Sequence, residues 1–249
     1  MMGMAIQGVI FDLGSTLIHR TGLALEREKC AALARFAASE WGCRNPQALA
    51  ARLLEIRLDG WRRSEETLME VAAADSLARA FASAGLSTDP NTIRRAEAVF
   101  FEPEVRISRL YPDALETLDR LRGMELRLGM ISNASSHALI LDITAKHHIA
   151  EYFDPLVTSA GFGRVKPHSE IFAHVLEAWG APAESVVMIG DTLRADIAGA
   201  HAVGMRSILV DIEPNPANAT FTGPARPTAR VEALGEIPPL IRRWTTPSR

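Results

Sequence analysis

Cysteine is scarce: the chain has two, Cys30 and Cys43, among 249 residues. They match no metal-ligand spacing and no disulfide framework, so both read as buried packing residues of a protein kept in a reducing cytoplasm. Charge of one sign is also lacking. Lys and Arg total 27 against 30 Asp and Glu, a net charge of -3. Without a basic excess there is no electrostatic footprint for a nucleic-acid backbone, and no nucleic-acid partner is expected. No apolar run reaches the roughly 20 residues that a membrane-crossing helix needs. The opening stretch MMGMAIQGVIFDLGSTL lacks a basic start and carries Asp12 inside its apolar segment. It therefore reads as neither a signal peptide nor a membrane span. Internal repeats and low-complexity tracts are absent too. The triplet Asn218-Ala219-Thr220 fits a glycosylation sequon, but such triplets are frequent by chance and this one is given no weight.

What the sequence does hold is apolar residues, 47% of the total, enough for a substantial core. Residues 6 to 11 form a short apolar run ending at Asp12 and Gly14, as a buried parallel strand does before a loop. From about 22 to 101 the chain is rich in Ala, Leu, Arg and Glu, broken near Gly42 to Pro46 and Gly85 to Pro90, which reads as an all-helical insert. Beyond it, apolar runs at 126 to 131, 154 to 158, 186 to 189 and 206 to 210 alternate with helical stretches near 136 to 148, 169 to 179 and 194 to 202. Strand-helix alternation predicts an α/β fold, a parallel sheet covered on both faces. The segment 213 to 230, rich in Pro, Asn, Thr and Gly, reads as an extended loop before a last helix near 235 to 244.

Polar or glycine clusters follow the apolar runs at Asp12 to Thr16, Ser132 to Ser136, Ser159 to Lys166 and Gly190 to Asp196. Ligands of open parallel sheets bind outside the carboxyl ends of the strands, so these clusters are expected to converge on one site. They contain FDLGSTL at 11 to 17, ISNAS at 131 to 135, KP at 166 to 167 and IGDTLRAD at 189 to 196. In this order, each motif following a predicted strand or opening a helix, the set resembles the motifs of the haloacid dehalogenase-like superfamily. The resemblance covers nearly the whole chain, including the helical insert and the phrase LYPDALETLDRL at 110 to 121, where the chain re-enters the core. It implies a Rossmann-like catalytic core over 1–17 and 106–249 and an inserted helical cap over 18–105. It also implies a magnesium-dependent hydrolase of small phosphorylated substrates, with no membrane partner, acting as a monomer or homodimer.

Each residue type suits that chemistry. Asp12 can act as a carboxylate nucleophile, splitting a hard hydrolysis into two easier steps. Ser132 and the amides around Asn133 can hydrogen-bond phosphoryl oxygens at a helix mouth. Lys166 offers those oxygens a point charge. Asp12, the carbonyl of Gly14 and Asp191 can hold magnesium, a hard cation, with Asp196 completing the acidic set. Asp196 reads equally as an orienting residue or as a first-turn carboxylate facing a helix dipole. Arg20, with Arg27, Arg57, Arg62 and Arg63 of the insert, is a candidate to hold an anionic substrate.

One position departs from the family. Phosphatases of this superfamily carry a second Asp two residues after the nucleophile, acting as general acid and then general base; here that position is Gly14. The backbone carbonyl survives, but the proton shuttle does not, and such help is worth about 10² to 10⁴ in rate. Three readings follow. The chain is a phosphatase for good leaving groups, or one that recruits a substitute such as His19 or Ser15. Alternatively it is a 2-haloacid dehalogenase, whose halide leaves without a proton, although dehalogenases of this superfamily need no metal and lack the Gly190-Asp191 start of the last motif. In the third reading it has lost turnover and binds a phosphorylated ligand or a partner protein.

Overall fold

The computed structural model describes residues 5–245. The expected core segments 1–17 and 106–249 therefore extend past the described residues at both ends. The apolar run after the N-terminus forms β1 (Gly8–Phe11), every residue of which is buried. It lies between β2 (Arg127–Ser132) and β4 (Val186–Gly190) in a six-stranded sheet of order β3-β2-β1-β4-β5-β6, every pairing parallel. The other strands are β3 (Leu156–Thr158), β5 (Arg206–Val210) and β6 (Ala229–Val231). An interior parallel strand is covered on both faces, which is why these segments read as unbroken apolar runs.

Alternate residues of the strands feed two apolar clusters, one on each face. Val9, Phe11, Leu128, Met130, Val187 and Ile189 join the larger one. Ile10, Ile131, Met188 and Val186 join the smaller one, which is closed by Phe172, Val175 and Trp179 of α8 (Ser169–Trp179). The core helices are α5 (Ala114–Arg122), α6 (His137–Lys146), the short α7 (Ser159–Phe162), α8, the short α9 (Ala198–Ala202) and α11 (Ile237–Thr245). The stretch 213 to 230 is not one extended loop: it holds a single helical turn, α10 (Pro216–Ala219), and most of the edge strand β6.

Between β1 and the core helix α5 lie four helices: α1 (Leu23–Glu40), α2 (Pro46–Thr67), α3 (Ala73–Ser83) and α4 (Pro90–Ile107). Asn45 and Asp89 cap α2 and α4, each followed by proline at the first helical position, so the breaks at 42–46 and 85–90 fall where expected. A third break at Leu68 was not expected, because no Gly or Pro marks it; Leu68 itself takes φ 56°. There the chain straps onto the core. The amide of Glu70 donates to the carbonyl of Gly163, that of Val165 to Leu68, and that of Ala73 to Ser135. Apolar residues of α1 to α4 share one continuous cluster with the sheet. Among the described residues no helix is long and apolar enough to cross a membrane.

The indole of Trp179 lies against β1 and β2 where both carry glycine. A β-carbon at Gly8 would sit 2.5 Å from the Trp179 ring, and one at Gly129 would sit 3.0 Å from it. Gly8→Ala is expected to destabilise the fold by about 1 to 3 kcal/mol, the usual range for overpacking. The loss should shrink when Trp179→Leu is combined with it, as a chemical denaturation cycle of the two variants will read; equal losses in both backgrounds would contradict the packing account.

Candidate active site

The strand ends bring the sequence clusters together. Phe11 is level with Met130 on one side and Ile189 on the other, so Asp12, Ser132 and Asp191 emerge side by side where the chain switches direction across the sheet. Asp12 is nearly buried and is held through its amide, which donates to the Ile189 carbonyl at 2.8 Å. The hydroxyl of Thr16 donates to Asp12 Oδ2 at 3.2 Å.

Lys166 commits all three of its ammonium protons, to Asp12 Oδ1, Asp196 Oδ1 and the Ile131 carbonyl, each at 2.7 Å. Burial alone would lower its pKa, but the adjacent Asp12 and Asp196 override this and raise it. Its backbone is clamped by Asn133: the Lys166 amide donates to Asn133 Oδ1 at 2.8 Å, and Asn133 Nδ2 donates to the Lys166 carbonyl at 3.0 Å. The Asn133 side chain thus positions Lys166. Ser132 Oγ, by contrast, has no protein hydrogen-bond partner among the described residues and lines the cavity.

Asp196 lies within a π-helical turn, Leu193–Ile197, and is fully buried. Its Oδ2 accepts from the Thr192 amide at 3.0 Å and its Oδ1 from Lys166, so both oxygens are engaged. That approach requires glycine at 190, where a β-carbon would lie 2.3 Å from the Asp196 carboxyl carbon. Burial raises the Asp196 pKa, with Lys166 opposing. Asp12, Asp191 and Asp196 each offer one carboxylate oxygen within 4.8 Å of the others. Three buried carboxylates against one buried lysine leave negative charge that a hard divalent cation suits, and an all-oxygen donor set is what magnesium takes.

Asp191 has partners that the sequence did not disclose. Asn215 Nδ2 donates to its Oδ2 at 2.7 Å, Thr192 Oγ1 to its Oδ1 at 3.1 Å, and Asn218 Nδ2 to its carbonyl at 2.8 Å. Asn218 Oδ1 also receives the Leu193 amide at 2.8 Å. The triplet dismissed as a chance sequon thus contributes a structural asparagine to the site. Arg20 reaches Asp191 Oδ2 at 3.3 Å, with its Nε buried and unpartnered.

Above these residues is a cavity of about 510 Å³, a size that suits a small metabolite. Its far wall is an ionic quartet from the insert, three members buried and Glu104 half-buried: Glu26 pairs with Lys29 at 2.6 Å and with Arg57 at 2.8 Å, and Lys29 pairs with Glu104 at 2.7 Å. Arg57 also donates to Ser135 Oγ at 3.0 Å, tying the insert to the loop after β2. Of the arginines proposed as anion holders, Arg20 and Arg57 line this cavity. Arg27 and Arg63 are exposed, and Arg62 is exposed and paired with Asp59 and Glu66.

Burial, then the charge of Asp12, pushes the Asp191 carboxyl up to about 6. Its folded pKa exceeds the unfolded value of 3.8, so in metal-free protein its contribution favours the fold below about 4 and is lost as pH rises through about 6. A divalent cation reverses that sign by favouring the ionised form. The increase in melting temperature caused by magnesium is therefore expected to be small below this window and to grow across it. An increase independent of pH would contradict this electrostatic account.

The profile of the haloacid dehalogenase-like hydrolases matches residues 6–204. The chain is 28% identical to a glyceraldehyde 3-phosphate phosphatase of Methanopyrus kandleri, over 84% of this chain and 88% of that protein. It is 32% identical to a ribulose-1,5-bisphosphate 5-phosphatase of Halopiger xanaduensis over 53% of this chain, spanning only 56% of that protein's length. Among solved structures, a 2-haloacid dehalogenase from Pseudomonas syringae pv. Tomato DC3000 superposes with a TM-score of 0.73 at 24% identity, covering 96% of this chain and 99% of that one. A HAD phosphatase from Thermococcus onnurineus gives 0.63 at 20% identity, covering 95% and 98%. At these identities the solved structures show the fold alone. The profile match, spanning the strands that carry Asp12, Ser132 and Asp191, places the chain in the haloacid dehalogenase-like hydrolase family.

Proposed function

We propose that the protein is a magnesium-dependent phosphatase of small phosphorylated metabolites, working through an aspartyl-phosphate at Asp12. The observation that carries this reading is the buried trio Asp12, Asp191 and Asp196 beside a single buried lysine. A halide-releasing enzyme would have no use for Asp191 and its three side-chain supports. The relatives named as phosphatases of glyceraldehyde 3-phosphate and of ribulose-1,5-bisphosphate make short sugar phosphates the first compounds to test.

In this mechanism Asp12, Asp191 and the Gly14 carbonyl hold the cation. When bound, magnesium offsets the repulsion between an anionic nucleophile and an anionic substrate. Ser132 Oγ and the amides after it bind phosphoryl oxygens. Lys166 aims Asp12, because its charged hydrogen bond to Oδ1 fixes the orientation of the carboxylate. Asp196 and Asn133 hold Lys166. The helices over 18–105 act as a cap whose ionic quartet faces the non-reacting end of the substrate and whose closure excludes water.

Asp12→Asn is expected to remove measurable hydrolysis of nitrophenyl phosphate while leaving the melting temperature close to that of wild type, since an amide of nearly the same size is a poor nucleophile. Asp191→Asn and treatment with chelator should each abolish activity, the latter restored by magnesium. Turnover of 2-haloacids that survives chelator and Asp191→Asn would replace this reading with the dehalogenase one.

A further inference from the structure

The position where the family carries its proton shuttle is empty of side chain, and nothing fills it. A β-carbon at Gly14 would meet no atom within 4 Å. Among the groups around Asp12, most are already committed. Lys166 has spent its three protons, Asp196 has both oxygens engaged, and Thr16 donates to Asp12. A guanidinium such as that of Arg20 does not release its proton in proteins. Ser15 has no side-chain hydrogen bond among the described residues, hence no base to make its hydroxyl a useful acid.

His19 differs from all of these. The loop after Asp12 folds back so that Gly14 pairs with Ile18 in a β-bridge, and His19 is the next residue, its own amide donating to the Arg109 carbonyl at 3.0 Å. It lines the same cavity as Asp12, Gly14 and Asp191. Its Nδ1 lies 2.7 Å from Glu213 Oε1, and its ring lies against Tyr111 with centroids 4.4 Å apart. Nε2 has no protein partner among the described residues. Glu213, held ionised chiefly by its bond to His19, comes from the loop that also supplies Asn215 and Asn218 to Asp191. A carboxylate on one imidazole nitrogen fixes the orientation and tautomer of the ring, leaving the other nitrogen to exchange a proton.

We infer that His19, oriented by Glu213, is the general acid and base that Gly14 cannot supply. This inference rests on the phosphoryl-hydrolysis reading. As an Asp12 oxygen forms its bond to phosphorus, the bond from phosphorus to the leaving oxygen breaks. The electron pair goes to that oxygen, which takes the proton from His19 Nε2. In the second half a water oxygen bonds to phosphorus and the bond to Asp12 breaks, its electron pair returning to the carboxylate. Nε2 takes the proton that the water loses, and inorganic phosphate leaves.

The test measures kcat/KM with magnesium for a series of phosphate monoesters running from nitrophenyl to alkyl leaving groups, in wild type, His19→Asn and His19→Asn/Gly14→Asp. Asn keeps an N–H near the position of Nδ1 to meet Glu213 but is no proton-transferring acid, so the contact with Glu213 survives. Wild type should depend weakly on the leaving group. His19→Asn should lose about 10²-fold on alkyl esters, the lower end of acid-base help, and little on nitrophenyl phosphate. The second substitution, for which position 14 has room, should recover much of the alkyl activity, a rescue that a merely structural role for His19 would not give. An unchanged dependence in His19→Asn, or a dependence already steep in wild type, overturns the dyad while leaving Asp12 chemistry standing. Absence of any Asp12-dependent, magnesium-dependent hydrolysis overturns both readings together.

Discussion

The site depends on one buried ammonium group. Lys166 joins Asp12, Asp196 and the backbone of β2 through three contacts of equal length. Removing it would strand Asp12 and Asp196 as unpaired buried charges, a loss of about 3 to 5 kcal/mol in comparable cases. Much of the neighbourhood reads as a device for holding Lys166: Asn133 clamps its backbone from one strand end, and glycine at 190 lets Asp196 approach from another. Because its protons are all spent, Lys166 faces the cavity as a nearby charge, while Ser132 Oγ and Arg20 Nε are cavity-lining groups without a protein partner among the described residues.

The strands and the carboxylates that cluster at their ends were legible in the sequence for a physical reason. Parallel strands buried on both faces must be apolar throughout, and a carboxylate directly after such a run is conspicuous. What the sequence hid was long-range. Glu213, Asn215 and Asn218 sit in a Pro-, Asn- and Thr-rich stretch that looks like any connecting loop, and their partners His19 and Asp191 are found only when β5 delivers that loop beside β1 and β4. The strap at 68–73 was hidden as well, because Leu68 adopts its left-handed conformation without a glycine to announce it. Edge strand β6, three residues long and outermost in the sheet, carries too little pattern to be read.

The cap wall poses a distinct design. Glu26, Lys29, Arg57 and Glu104 form a balanced quartet, with Lys29 also close to the rings of Phe100 and Phe101. Apolar residues of the same volume would often stabilise as well or better than buried ion pairs. A polar wall facing a polar floor across the cavity therefore fits recognition of a small hydrophilic substrate better than it fits stability, and the Arg57 to Ser135 bond links that wall to the loop after β2.

The most direct test of the account is the chemical fate of Asp12 during one turnover. Enzyme in excess over substrate is mixed with a phosphate monoester and magnesium in ¹⁸O-labelled water, quenched in acid, and the peptide spanning Asp12 and the released phosphate are both weighed by mass spectrometry. The account predicts a transient Asp12 peptide heavier by one phosphoryl group, with the label appearing in inorganic phosphate and absent from the Asp12 carboxylate, because water attacks phosphorus. Label entering the Asp12 carboxylate would mean attack at its carbonyl carbon, the course of an alkyl ester intermediate. That result, or the absence of any phosphorylated Asp12 peptide while phosphate is released, would contradict the account.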